Sequence, residues 1–220
     1  MATLTIPTTL LRVLSLATLC LAVERSVTPH DLYSSSVGVL GCKIDTNRVA
    51  YFPDAIDCNN ICVRVTNAGR TLDLLRIDQS GGAFDISYDA WNFLSTGSSA
   101  IDEPTTGGGI NMQVEDVPAE NCKSLLNDGS LPFSAANSMN FISSCLSQPD
   151  SFVAKNFKLF NIQDASCECG FDEECTLDLN VSNQPSCPNQ LGTGKELPDS
   201  VFNIEFGTGK KVAAAGQPVC

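Results

Sequence analysis

The chain has 220 residues, with 13 Lys plus Arg against 25 Asp plus Glu, one His and 11 Cys, for a formal net charge of −12. So acidic a surface excludes a nucleic-acid partner, because phosphate binding needs concentrated Lys and Arg. The single histidine, His30, stands near the N-terminus outside any dense motif, which leaves no Ser-His-Asp triad, Cys-His pair or multi-histidine metal site to assemble.

The apolar run from Leu10 to Val23, broken by Arg12, has the length of a secretory signal core and is too short to span a bilayer. Cys20-Leu-Ala22 offers small residues for cleavage, so residues 1–22 are predicted as a signal peptide and residues 23–40 as a polar, Ser-rich leader. No later apolar stretch approaches the length of a membrane span, and no membrane partner is expected.

Between Cys42 and Cys122, turn residues cut the chain into short strands of the kind that build a barrel or sandwich. Arg48-Val-Ala-Tyr-Phe52 is an apolar strand stopped by Pro53. Ile61 to Thr66 alternates with period two until Asn67-Ala-Gly69 turns it, and Thr71 to Ile77 is the third strand. After Gly81-Gly82, Ser87 to Leu94 reads as a short helix with Ser87 as N-cap, Asp89 in the first turn, and Ala90, Trp91 and Leu94 on one buried face. Gly97 closes it, and Gly107-Gly-Gly109 leads into a last strand, Ile110 to Val117.

Beyond Cys122 a helix is predicted over Ser138 to Leu146 and a strand over Val201 to Phe206, the rest being irregular. Phe152, Phe157 and Phe160 read as core filling against the barrel rather than as a ligand platform. Asn180-Val-Ser182 is an N-glycosylation sequon, which predicts a surface loop there.

Loss of the signal removes Cys20 and leaves ten cysteines: Cys42, Cys58, Cys62, Cys122, Cys145, Cys167, Cys169, Cys175, Cys187 and Cys220. An even count in an exported chain predicts up to five disulfides, whose connectivity the sequence leaves open. The cluster around Cys167-Glu-Cys169 lacks zinc spacing, so neither a metal nor a cofactor is expected.

The segments Cys62-Val-Arg-Val-Thr-Asn67, Leu75-Arg-Ile-Asp-Gln79 and Gly81-Gly-Ala-Phe-Asp-Ile-Ser87, followed by a short helix, occur in an order that resembles the barwin and expansin group of double-psi β-barrels. The resemblance covers about residues 41–122. It implies a mainly β fold: a six-stranded double-psi barrel with short helices, and residues 123–220 as a disulfide-rich extension packed on it. It also implies an exported, extracellular, monomeric protein of the effector kind, whose partner is a cell-wall polysaccharide or an extracellular protein.

By that resemblance Asp78 matches an acidic residue at the end of a groove strand. Asp85 matches the Asp of the Phe-Asp motif, which in the related family 45 endoglucanases is the catalytic acid. Asp54 or Asp57 lies near the place of that family's base, and Tyr51, Arg76, Arg64 and Ser80 are candidates to contact sugar hydroxyls. The expansin histidine before Phe-Asp is Ala83 here, and Gln79 and Ser80 replace the Cys or Tyr found after the Asp78 position. The leading expectation is therefore non-catalytic binding. Acid-assisted cleavage with Asp85 as proton donor and Asp78 tuning it is the enzyme alternative. A protein-interaction role for the acidic extension is the third.

Overall fold

The computed structural model describes residues 21–198, 201–214 and 220, so residues 1–20 of the predicted signal lie outside the described residues. Six strands close into a barrel: β1 (Val23–His30), β2 (Val49–Phe52), β3 (Cys62–Asn67), β4 (Arg70–Gln79), β5 (Phe84–Ser87) and β6 (Ile110–Asp116). Their order around the barrel is β1-β5-β2-β4-β3-β6. β1 runs parallel to β5 and β2 parallel to β4, while the other neighbours are antiparallel. Two such parallel pairs in a closed six-stranded sheet are compatible with a double-psi barrel. The tight β3–β4 hairpin turns on Ala68 and Gly69, both at positive φ (48° and 78°), which is the twist that a two-residue hairpin loop requires.

The barrel begins earlier than the sequence suggests. Residues 23–30 are not leader: Val23 to Val27 pair with β6 and Val27 to His30 with β5, and these two ladders close the barrel. Only Val27 of this strand is buried, so there is no apolar alternation to read. Backbone pairing on both edges, rather than side-chain burial, makes it a strand.

Helix α1 (Tyr88–Thr96) follows β5 without a break and ends at Gly97, whose φ of 96° lets its N–H reach the Phe93 carbonyl at 2.8 Å. Ser87 precedes the helix but does not cap it with its side chain. Its hydroxyl donates instead to the Asn47 carbonyl at 2.6 Å, tying β5 to the approach to β2. Trp91 is buried as predicted.

Alternate barrel residues feed two cores. Ala50, Phe52, Val63, Val65, Leu74 and Ile86 pack with α1. Val49, Tyr51, Cys62, Leu75 and Ile77 face the other way, into a core shared with the C-terminal half, including Phe133, Ile142 and Phe152.

That half is more regular than its sequence pattern. β7 (Leu131–Ser134), α2 (Met139–Leu146), α3 (Phe152–Lys155), β8 (Phe157–Ile162), β9 (Cys169–Cys175) and β10 (Lys195–Glu196) include a four-stranded sheet of order β10-β9-β8-β7. β11 (Phe202–Ile204) and β12 (Lys211–Ala213) form a separate hairpin. Pro132 sits in β7, an edge strand, where its missing N–H is tolerated.

All ten cysteines among the described residues are paired. Cys62–Cys122 lies within the barrel segment, while Cys42–Cys167 and Cys58–Cys145 bind the barrel to the C-terminal half. Cys169–Cys220 and Cys175–Cys187 staple that half to itself. Among the described residues no helix is long and apolar enough to cross a membrane.

Candidate functional site

Strand register brings the two candidate acids to one face. Tyr51 on β2 is paired with Asp78 on β4 and with Asp85 on β5, and Asp85 is paired in turn with Thr28 on β1. The result is a row across four strands: Asp78, Tyr51, Asp85, Thr28. An irregularity makes it possible. The β2/β4 register shifts between Ala50 and Tyr51, so Ala50 faces Arg76 but Tyr51 faces Asp78 and skips Ile77. Without that bulge an isoleucine, not a carboxylate, would stand beside the tyrosine.

The two carboxylates are used differently. Asp78 accepts hydrogen bonds from the Ser34 hydroxyl, from the Ser36 N–H at 2.9 Å and from the Gln79 N–H at 2.8 Å. It thereby pins the segment after β1 against the end of β4. Asp85 is half-buried and takes a bond from the Thr28 hydroxyl through Oδ1; its Oδ2 has no hydrogen-bond partner among the described residues.

Tyr51 between them is only 4% exposed, and its ring lies 4.6 Å from that of His30, centroid to centroid. Tyr33 is also buried and donates its hydroxyl to the Val39 carbonyl at 2.7 Å. Burial pushes both phenols above their ordinary pKa of 10.0; for Tyr33 the neighbouring Tyr51 and Asp78 add to it. For Tyr51, Asp78 and Asp85 add to the rise, while the Ser34 N–H opposes it. A raised folded-state value means that the protonated phenols stabilise the fold fully below about pH 10, and that this contribution is lost as the pH climbs beyond it. Ultraviolet titration should therefore show Tyr33 and Tyr51 resisting ionisation past pH 10, then ionising together with unfolding. Smooth ionisation of both with the fold intact would contradict their burial.

The other predicted contacts fall outside this row. Arg76 is 6% exposed, donates to the Asn60 carbonyl at 2.6 Å and pairs with Asp116 at 3.5 Å. Arg64 makes a two-point pair with Asp73 at 2.8 and 3.0 Å. Ser80 closes its own turn, donating to the Ala83 carbonyl and accepting the Gly82 N–H at 3.3 Å. Asp57 is spent on the N–H groups and side chain of Asn59 and Asn60. Asp54 is exposed beyond the end of β2. Asn180 is exposed within the loop that Cys175–Cys187 closes.

Thr28, His30, Ser34 and Ser36 are the residues that sequence reasoning missed, because all four lie in the stretch read as leader. Thr28 is 57 positions from Asp85, and only the parallel β1/β5 register connects them. Beside this row His30, Tyr51, Ser87 and Asp89 help to line a cavity of about 20 Å³, room for one water and no more. Among the described residues no group of three or more His, Cys, Asp or Glu is placed to hold a metal ion. No family model matches the chain, and no curated protein matches it.

Proposed function

We propose that the chain is an exported, barwin/expansin-like binder of cell-wall polysaccharide, in which Asp85 accepts sugar hydroxyls and does not act as an acid catalyst. The observation that carries this reading is the state of the two carboxylates. Asp85 is half-exposed with Oδ2 open, whereas Asp78 is fully engaged in holding the segment at Ser34 and Ser36. Inverting hydrolysis needs a second carboxylate free to hold a water opposite the acid; Asp78 and Asp57 are both committed to their own loops, and Asp54, though exposed, lies beyond the end of β2 and outside the row that holds Asp85. A hydroxyl acceptor needs only one open oxygen on an accessible strand, with Thr28 fixing its rotamer. Five disulfides support function in an oxidising compartment.

Retention on cellulose, chitin and insoluble β-glucan tests the reading. Asp85→Ala should weaken retention about tenfold, equivalent to about 1.4 kcal/mol, with an unchanged melting temperature. Asp85-dependent release of reducing ends would replace binding by catalysis. If no polymer retains the wild-type protein, the polysaccharide reading is wrong and an extracellular protein becomes the partner.

A further inference from the structure

We infer that the seam between the barrel and the C-terminal half holds a second binding site, for a neutral hydroxyl-rich oligosaccharide. It rests on the polysaccharide reading for the biological source of the ligand, but its geometry and chemistry are separate from Asp85. An open groove of about 470 Å³ runs along this seam, within the size range of small-ligand sites, about 300–1,000 Å³. Asn59 and Asn60 form its floor. Val117 to Glu120 make one wall, and Phe152, Lys155 and Asn156 the other.

The walls are fixed before any ligand arrives. Cys58–Cys145 ties the floor loop to α2, and Cys62–Cys122 ties the turn Ala119–Leu125 to β3. The Asn59 side-chain oxygen accepts the Phe152 N–H at 3.0 Å, and the Val153 N–H donates to the Cys58 carbonyl at 3.1 Å, joining floor to far wall. The Val117 N–H donates to the Cys62 carbonyl at 3.1 Å, joining the near wall to the barrel. A groove clamped on both sides loses little conformational entropy when it is filled.

Its chemistry selects the ligand. With Asn59 Oδ1 committed to Phe152, its Nδ2, on an exposed residue and without a hydrogen-bond partner among the described residues, is left as a donor. Asn60 and Asn156 each spend one side-chain N–H, on Asp57 and on the Phe152 carbonyl, and each keeps its amide oxygen as an acceptor. Glu120 adds an exposed carboxylate. Interspersed donors and acceptors on one concave surface suit hydroxyls, which both donate and accept. Of the cations nearby, Lys155 is matched with Asp150 at 2.9 Å and Arg76 with Asp116 at 3.5 Å, and Lys123, 5.6 Å from the Phe152 ring, offsets Glu120, so the groove carries no excess charge of either sign. A polyanion therefore finds no unmatched cluster of positive charge to attract it, and hydroxyl contacts decide the fit. The short strip Val117-Pro118-Ala119 is apolar enough for the C–H face of a sugar ring and too small for an aliphatic chain.

The test is a nuclear magnetic resonance titration of the isotope-labelled protein with cellotetraose, chitotetraose and a tetramer of galacturonate. The two neutral sugars, or one of them, should shift the amides of Asn59, Asn60, Glu120 and Asn156, and the uronate should not. Glu120→Trp, at an exposed position, should fill the groove and lower affinity at least about tenfold without changing the melting temperature, while Glu120→Gln keeps binding. Shifts confined to Thr28, His30 and Asp85 would end the groove proposal and leave the barrel site standing. Groove shifts that persist in Asp85→Ala, with polymer retention also unchanged, would end the Asp85 reading and leave the groove. Equal shifts with the uronate, or none with either neutral sugar, overturn the inference.

Discussion

Replacing Cys42 and Cys167 together by serine is expected to lower stability by about 4–5 kcal/mol and the melting temperature by about 10–15 °C. The bond joins positions 125 residues apart, so its loss returns a large loop to the unfolded ensemble. The junction it anchors is also tied by the Gly41 N–H to the Ala165 carbonyl and the Leu40 N–H to the Pro132 carbonyl, each at 2.9 Å, and by Lys43 with Asp172 at 2.6 Å, contacts that the double substitution leaves in place. The comparison that decides the mechanism is Cys175→Ser with Cys187→Ser, which opens a separation of only 12 residues and should cost about 3 kcal/mol. Denaturant unfolding of both double variants measures the difference. Equal costs would show that local packing around the sulfurs, and not the length of chain enclosed, sets their worth. Removing both partners at once matters, because a single serine leaves a free thiol able to attack the four remaining bonds.

The middle of the barrel was legible because its strands obey the rules that side chains impose. Cys62 to Asn67 alternates, Arg70 to Gln79 continues the hairpin, and Gly97 ends α1 where a left-handed residue was needed. β1 obeys no such rule. Glu24, Arg25 and Ser26 are exposed, and the strand exists because both of its edges find backbone partners far away in sequence. β9 is similar: its Asp172-Glu-Glu174 stretch is polar, and the strand is held by β8 between Gly170 and Cys175 and by β10 at Cys169 and Gly170. Disulfide number follows from counting, but pairing depends on which loops meet. Cys167 joins Cys42 while Cys169, two residues on, joins Cys220. The candidate site divides along the same line. Asp78 and Asp85 could be picked out as residues, but their shared face follows from a single-residue register shift beside Tyr51, and the partners that commit Asp78 come from a stretch that looked unstructured.

Asp89→Ala is expected to cost about 3 kcal/mol, and Asp89→Asn about half as much. The sequence places Asp89 in the first turn of α1, where a carboxylate favours the helix dipole by only about 0.3–1 kcal/mol. The fold gives it far more to do. It is 5% exposed; Oδ2 accepts from the Arg48 guanidinium at 2.8 Å, and Oδ1 accepts from the Ser99 hydroxyl and the Ala100 N–H, each at 2.8 Å. One carboxylate thus joins the approach to β2, the start of α1 and the loop after Gly97. Alanine strands the buried Ala100 N–H, whereas Arg48, 22% exposed and also bonded to the Asn47 carbonyl, recovers water and keeps the cost below that of a fully buried broken pair. Asparagine retains an oxygen for Ser99 and Ala100 but turns an NH2 donor toward Arg48, which loses both the charge and the acceptor and turns to the Asn47 carbonyl and water. Equal losses for the two variants, measured by denaturant midpoint, would put the whole effect on the ion pair. A larger loss for alanine puts it on the loop bonds. Arg48 directly precedes Val49, so the same carboxylate helps to set where β2 starts, and with it which residue stands beside Asp85.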